Sequence, residues 1–126
     1  MTRELFLTSS SIVALLVGSC AVVIPSKFLA SKGVTVTPAV VVWMREVGVL
    51  IFAAGVMGFL ARSEPDSRMM RAFLVGNGLM QLGLLPIELI ALKRGVITRL
   101  SGVVPNSVLH AVLATGFFFF AVQVSA

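Results

Sequence analysis

The sequence predicts an all-α fold of the integral membrane class, a four-helix bundle formed by a single transmembrane domain over residues 1–126. The first observation behind this prediction is composition: 58% of the residues are hydrophobic, 12% are charged, and the mean hydropathy is +1.06. Soluble domains carry about 25% charged residues, so a soluble fold of this length could not bury so much apolar surface. The second observation is that the apolar residues form four runs, each close to the roughly 20 residues that a spanning helix needs.

The four runs follow one another in chain order with similar lengths. They cover residues 5–25, 39–61, 70–92 and 103–124. None of them alternates with a period of two, as a barrel strand would, and each is long enough to cross as a helix. The first run contains "VGSC" (residues 17–20), which loosely resembles a lipoprotein cleavage box. Because apolar residues continue through Ile24, we expect this run to be kept as a helix.

Three polar connections, residues 26–38, 62–69 and 93–102, separate the runs. The clearest turn is "RSEPDSR" (residues 62–68), where Pro65 breaks a helix and Asp66 or Ser67 is suited to cap the next one. Four spans place both termini on one side, side A, together with the 62–69 connection; the other two connections lie on side B. The cations on side A are Arg3, Arg62, Arg68 and Arg71, and those on side B are Lys27, Lys32, Lys93, Arg94 and Arg99. This near balance gives no clear orientation by the positive-inside rule.

The net charge of +5 would suggest nucleic acid binding in a soluble protein. Here most Lys and Arg residues flank apolar runs, where they anchor helix ends and meet anionic headgroups. We therefore expect the lipid bilayer, and no nucleic acid, as a partner. The single Cys20 cannot form an intrachain disulfide. No paired metal-ligand spacing, phosphate loop, dinucleotide fingerprint or haem motif occurs, so the sequence predicts neither a metal nor a cofactor.

Seven polar side chains interrupt the last three runs. They are Arg45 and Glu46 in the second run, Asn77, Gln81 and Glu88 in the third, and Asn106 and His110 in the fourth. With a rise of about 1.5 Å per residue, five of them lie roughly 5–11 Å from side B, whereas Gln81 lies roughly 16 Å deep. Asn77 and Glu88 are about 20° apart around the third helix, and Asn106 and His110 share a face by their i,i+4 spacing. An unpaired charge in hydrocarbon costs several kcal/mol, so we expect these faces to meet around a polar chamber towards side B.

Several of these residues also have a purely structural interpretation. Arg45 is within reach of side B, where it would serve as a surface anchor with Glu46. Asn77 and Gln81 would serve as interhelical hydrogen-bonding residues, worth about 0.6 kcal/mol each. Glu88 is the hardest to explain in this way, because a carboxylate is expensive inside a membrane. The glycines are expected at close helix contacts. They are Gly48, Gly55, Gly58, Gly76, Gly78 and Gly83.

Three segments in the last three runs carry a resemblance to a known group. They are "WMREVG" (residues 43–48), "GNGLMQ" (76–81) and "NSVLH" (106–110). In this layout the chain resembles the broad DoxX-like group of small four-helix bacterial membrane proteins. The resemblance implies a multi-pass protein of the bacterial inner membrane. No catalytic residue is transferred from the group to this sequence.

The leading functional hypothesis is a polar intramembrane pocket that binds a lipophilic small molecule with a polar end. The chemistry expected there is proton transfer, as in isomerisation or hydration. The acid and base candidates are Glu88, His110 and Glu46, and the substrate-binding candidates are Arg45, Asn77, Gln81 and Asn106. One cation and two carboxylates sum to −1 with a neutral imidazole, so we expect the cluster to retain one proton.

Two other hypotheses belong to different functional classes. The first is a proton-coupled small-molecule exporter that works as a homo-oligomer, because the weak charge bias and short connections resemble small multidrug transporters. Those proteins carry their key carboxylate in the first helix, whereas the first run here has only Glu4 at its edge. The second is a structural subunit of a larger membrane complex, in which the polar residues serve to hold helices together.

Overall fold

A computed structural model of the chain describes residues 1–125, which form five α-helices. They are α1 (Arg3–Val23), α2 (Pro25–Ser31), α3 (Pro38–Ala61), α4 (Arg68–Lys93) and α5 (Leu100–Gln123). All except α2 are long and apolar enough to cross a membrane. The predicted all-α membrane class is therefore confirmed, and each predicted span matches one long helix. The short α2 was not predicted, although Pro25 at its start is a residue favoured in a first helical turn.

Polar side chains cap the starts of three spanning helices. Thr2 accepts a hydrogen bond from the backbone nitrogen of Leu5 at 3.2 Å at the start of α1. Thr37 accepts in the same way at the start of α3, at 3.3 Å. Of the two predicted candidates at the start of α4, Ser67 is the cap, and its Oγ accepts from Met70 at 3.0 Å. These hydroxyls satisfy amide groups that have no partner within the first turn.

The chain divides into two compact units, Met1–Ser63 and Glu64–Ala126. In the first, α1 and α3 pack as an antiparallel pair, which we call the first hairpin. A Cβ atom placed on Gly18 would lie 2.7 Å from the backbone nitrogen of Phe52 and 2.8 Å from the carbonyl oxygen of Gly48. The expected close contact at Gly48 is therefore present, and α1 contributes a glycine to it. The prediction that residues 1–126 form a single domain stays a prediction.

The second unit is also an antiparallel pair, formed by α4 and α5, which we call the second hairpin. Near its termini, the Arg71 guanidinium donates to the carbonyl oxygen of Val124, and the carboxylate of Asp66 accepts from the backbone nitrogen of Ser125 at 3.1 Å. A cation beside the end of α5 interacts favourably with the helix dipole. These contacts join the start of α4 to the end of α5 and set the level at which their side chains meet.

The glycines of α4 only partly follow the expectation of close helix contacts. A Cβ atom on Gly78 would lie 3.0 Å from the Phe118 ring of α5. Around Gly76 and Gly83, by contrast, a Cβ atom would have nothing within 4 Å. Within the second hairpin the expectation is therefore wrong for these two positions. Sequence spacing places small residues on a helix, but it does not show which of them a neighbouring helix approaches.

Candidate intramembrane polar site

Glu88 is the buried charged side chain of the second hairpin. Its exposed fraction is 8%, and among the charged side chains of residues 1–125 it alone is buried. It lies five residues before the end of α4 at Lys93, which corresponds to about 7.5 Å along the helix axis. A carboxylate at this position requires hydrogen-bond donors, because removal from water costs an ion several kcal/mol.

Two consecutive residues of α5 supply these donors. The Asn106 amide nitrogen lies 2.5 Å from Oε1 of Glu88, and the Ser107 hydroxyl lies 3.0 Å from Oε2. Consecutive helical side chains point about 100° apart, so the two donors approach the carboxyl group from different directions. Hydrogen bonds to a charged acceptor are stronger than neutral ones, and both oxygens of Glu88 receive one.

The same asparagine also contacts the histidine. Asn106 Nδ2 lies 2.9 Å from Nε2 of His110, and the other ring nitrogen, Nδ1, lies 2.5 Å from Oε1 of Gln81 on α4. The i,i+4 spacing puts Asn106 and His110 on one face of α5, as the sequence predicted. We call the connected set of Gln81, Glu88, Asn106, Ser107 and His110 the Glu88 network.

Donors and acceptors match throughout the network for one proton distribution. An amide NH₂ group has two hydrogens, which Asn106 directs to Oε1 of Glu88 and to Nε2 of His110. Nε2 is then an acceptor, so the hydrogen of a neutral imidazole is on Nδ1, where Gln81 Oε1 accepts it. With Glu88 ionised and His110 neutral, each of the four contacts joins one donor to one acceptor.

The remaining predicted residues are placed differently. Asn77 lies on α4, where its amide nitrogen donates to the backbone carbonyl of Phe73 in the same helix at 2.9 Å. Arg45 and Glu46 lie on α3 of the first hairpin, and both are exposed. The structure thus brings together Gln81, Glu88, Asn106 and His110, and the catalytic and binding roles of all seven residues stay predictions.

Ser107 is the member of the network that the sequence analysis missed. A serine within a helix often bonds its own backbone, so its type alone gives no signal. Its position beside Asn106, facing the same level of α4 as Glu88, is the feature that could have identified it. Within residues 1–125, no group of three or more His, Cys, Asp or Glu side chains is arranged to hold a metal ion.

Comparisons with known proteins give no relative for this chain: no family model, no curated protein and no solved structure matches it. The resemblance to the DoxX-like group therefore stays a prediction from the layout of the sequence.

Proposed function

We propose that the second hairpin binds the polar end of a lipophilic small molecule and exchanges a proton with it. The observation that carries this proposal is the connection of two proton-accepting groups, Glu88 and His110, through the single amide of Asn106, so that a proton taken up by one is close to the other. Proton-transfer catalysis needs one group that gives up a proton and another that accepts it, positioned against the same ligand. Isomerisation and hydration of an unsaturated molecule are the reaction types that such a pair would serve.

The surroundings of the network suit a ligand that arrives from the bilayer. Ile87 and Leu89, on either side of Glu88 in the chain, are 62% and 56% exposed, and Val108 on α5 is 57% exposed. These apolar side chains would contact the hydrocarbon part of the ligand. The half-buried Asn106 and His110 would meet its polar end before the buried Glu88 does.

A purely structural role explains the network less well. Neutral amides and hydroxyls suffice to hold two membrane helices together, at about 0.6 kcal/mol for each hydrogen bond. A carboxylate adds a desolvation cost that such a role does not require. Both ring nitrogens of the histidine are also engaged, which gives the imidazole a defined proton position that simple packing would not need.

Deuterium transfer tests the proposal for any lipophilic substrate that exchanges a carbon-bound proton. Purified protein in lipid nanodiscs would be incubated in D₂O with a total lipid extract from the expression host. Mass spectrometry would then detect deuterium bound to carbon. We expect incorporation with the unmodified chain, strong loss in Glu88→Gln and His110→Ala, and no change in Glu64→Gln, whose carboxylate is exposed in the connection between the hairpins. Equal incorporation in all four proteins would refute the proposal.

Proton-coupled transport is a second candidate, favoured by a specific observation. Glu88 and His110 have protein hydrogen-bond partners on both carboxyl oxygens and both ring nitrogens, so the network is able to hold a proton without a bound ligand. In proteoliposomes with a pH gradient, transport of ethidium that is lost in Glu88→Gln would support this candidate. Ethidium flux that is the same with and without the gradient would exclude proton coupling of this probe.

We also propose that this multi-pass protein is in the bacterial inner membrane with both termini on one side. The location follows from the layout resemblance to the DoxX-like group. The arrangement of the termini follows from four helices that are each long and apolar enough to span.

A further inference from the structure

We propose that Asn106 is a positioning residue that fixes His110 in the tautomer with its hydrogen on Nδ1 and makes imidazolium formation depend on protonation of Glu88. This inference rests on the proposed function, because it specifies how the protons of the same site are distributed. It can be tested without a substrate, so the two proposals can fail separately.

The amide nitrogen of Asn106 has two contacts. Asn106 Nδ2 lies 2.5 Å from Oε1 of Glu88 and 2.9 Å from Nε2 of His110. An amide NH₂ group only donates, so both neighbours must be acceptors. Nε2 therefore carries a lone pair, and the hydrogen of the neutral ring is on Nδ1, facing Gln81 Oε1 at 2.5 Å.

A second hydrogen on His110 would have to enter at Nε2, where it would point at the NH₂ group. The Asn106 amide would have to turn, and its oxygen would then face both Nε2 and Oε1 of Glu88. Two oxygens at hydrogen-bond distance repel each other unless one of them carries a proton. In the turned arrangement, each contact joins a donor to an acceptor only when one proton has been added to Nε2 and another to Oε1. The contact between Nδ1 and Gln81 is unchanged.

Glu88 is not restricted in the same way. Its Oε2 receives the Ser107 hydroxyl at 3.0 Å, and a hydroxyl can turn to accept as well as donate. A first proton on Oε2 therefore leaves Asn106 and His110 undisturbed, and a half-turn of the carboxyl group brings that proton to the position facing Asn106 when a second proton reaches Nε2.

The other ionisable groups of the two helices that form the site are near their ends. On α4, no ionisable side chain lies between Arg71 and Glu88 or between Glu88 and Lys93, and His110 is the single ionisable side chain of α5. The proton distribution within the second hairpin is thus set mainly by Glu88, His110 and the amides between them.

The single histidine of the chain makes the test direct, since ¹⁵N-histidine labelling marks one ring. Magnetic resonance of the protein in nanodiscs distinguishes a hydrogen-bearing ring nitrogen from a bare one. In the unmodified chain we expect the neutral ring to carry its hydrogen on Nδ1. As the pH falls, a hydrogen on Nε2 should appear only in samples whose infrared spectrum also shows the protonated carboxyl band of Glu88, identified by its absence from Glu88→Gln.

Two variants distinguish a positioning role of Asn106 from a general contribution to the stability of the hairpin. Asn106→Leu removes the constraint on Nε2, so we expect the tautomer ratio to shift at least roughly fivefold towards Nε2–H, the equivalent of one ordinary hydrogen bond. Ser107→Ala removes a donor to Glu88 without touching the ring, and should leave the tautomer unchanged. If Asn106→Leu does not fold, the tautomer and the charge of His110 in the unmodified chain still test the proposal. A neutral ring with its hydrogen on Nε2, or an imidazolium beside an ionised carboxylate, would overturn the proposal.

Discussion

The close backbone contact at Gly18 in the first hairpin can be tested by Gly18→Ala. The added methyl group would lie 2.7 Å from the backbone nitrogen of Phe52, 2.8 Å from the carbonyl oxygen of Gly48 and 2.9 Å from the Cα atom of Phe52. All three neighbours are backbone atoms, which cannot turn away as the end of a side chain can. We therefore expect α1 and α3 to separate at this level.

The size of the effect follows from these distances. Restoring ordinary van der Waals contact requires a separation of roughly 0.7 Å, from 2.7 Å to 3.4 Å, which would also weaken the neighbouring contacts of both helices. Overpacking of this kind costs about 1–3 kcal/mol. Alanine has a higher helix propensity than glycine, by about 1 kcal/mol, so the net destabilisation should be about 0–2 kcal/mol relative to the unmodified chain and about 1–3 kcal/mol relative to a glycine-to-alanine change without the steric contact.

The assay is unfolding of the purified protein in mixed detergent and SDS micelles, followed by circular dichroism and by tryptophan fluorescence from Trp43. The matched controls are Gly76→Ala and Gly83→Ala, where the new methyl group has nothing within 4 Å. These controls measure the propensity gain without the steric cost. A Gly18→Ala protein as stable as the two controls would refute the inferred backbone contact.

Three further predictions concern helix ends, cations and topology. Ser67→Ala removes the side-chain cap of α4 and should cost about 1 kcal/mol in the same unfolding assay, whereas an unchanged midpoint would show that water replaces the cap. Arg62→Ala should lower the free energy of unfolding only slightly, because Arg62 contacts a residue of its own helical turn. It donates to the carbonyl oxygen of Phe59 and makes a cation–π contact with the Phe59 ring. Arg45 is exposed on α3, so Arg45→Ala should also cost little; a loss of about 3–5 kcal/mol would instead show that Arg45 compensates a buried charge. Protease treatment of sealed vesicles should cleave tags on both termini from the same side; cleavage of only one would contradict four spans.

The part of the site that could be predicted from sequence depends on regular helix geometry. Rise and rotation per residue are nearly constant, so the depth and face of Glu88, Asn106 and His110 follow from their positions alone. The antiparallel order of two successive spans then puts Glu88 and Asn106 at similar levels. The hydrogen bond between them follows the same geometry.

The features that could not be predicted depend on which of several nearby hydrogen-bonding groups pair with each other. Asn77 lies on the predicted polar stripe of α4, yet its amide donates to the carbonyl of Phe73 one turn earlier. A short polar side chain in a helix has this backbone option at every position, and sequence does not show which option is favoured. Likewise, Asp66 and Ser67 are both good caps, and the choice of Ser67 depends on the backbone angles at the start of α4.

The Glu88 network has an energetic cost, the burial of a carboxylate, and an energetic gain, the hydrogen bonds to that carboxylate. Burial of a carboxylate costs several kcal/mol, and each hydrogen bond to a charged group returns about 1.5–3 kcal/mol. With donors from Asn106 and Ser107, these contributions roughly cancel. The network is therefore expected to add little net stability, which is the energetic reason for the proposal that it serves chemistry.

A double-mutant cycle tests this conclusion. Asn106→Leu alone removes a donor from both Glu88 and His110, which should destabilise the hairpin by about 1–3 kcal/mol. Adding Glu88→Met removes the buried charge as well, and an apolar replacement of a buried polar pair is often neutral or stabilising. We therefore expect the double variant to be more stable than Asn106→Leu and close to the unmodified chain, with its deuterium transfer lost. Ser107→Ala combined with Glu88→Met is the parallel cycle for the other carboxyl oxygen. If each added substitution instead lowers the unfolding midpoint further, the network itself stabilises the hairpin, and a structural role is sufficient to explain its polar residues.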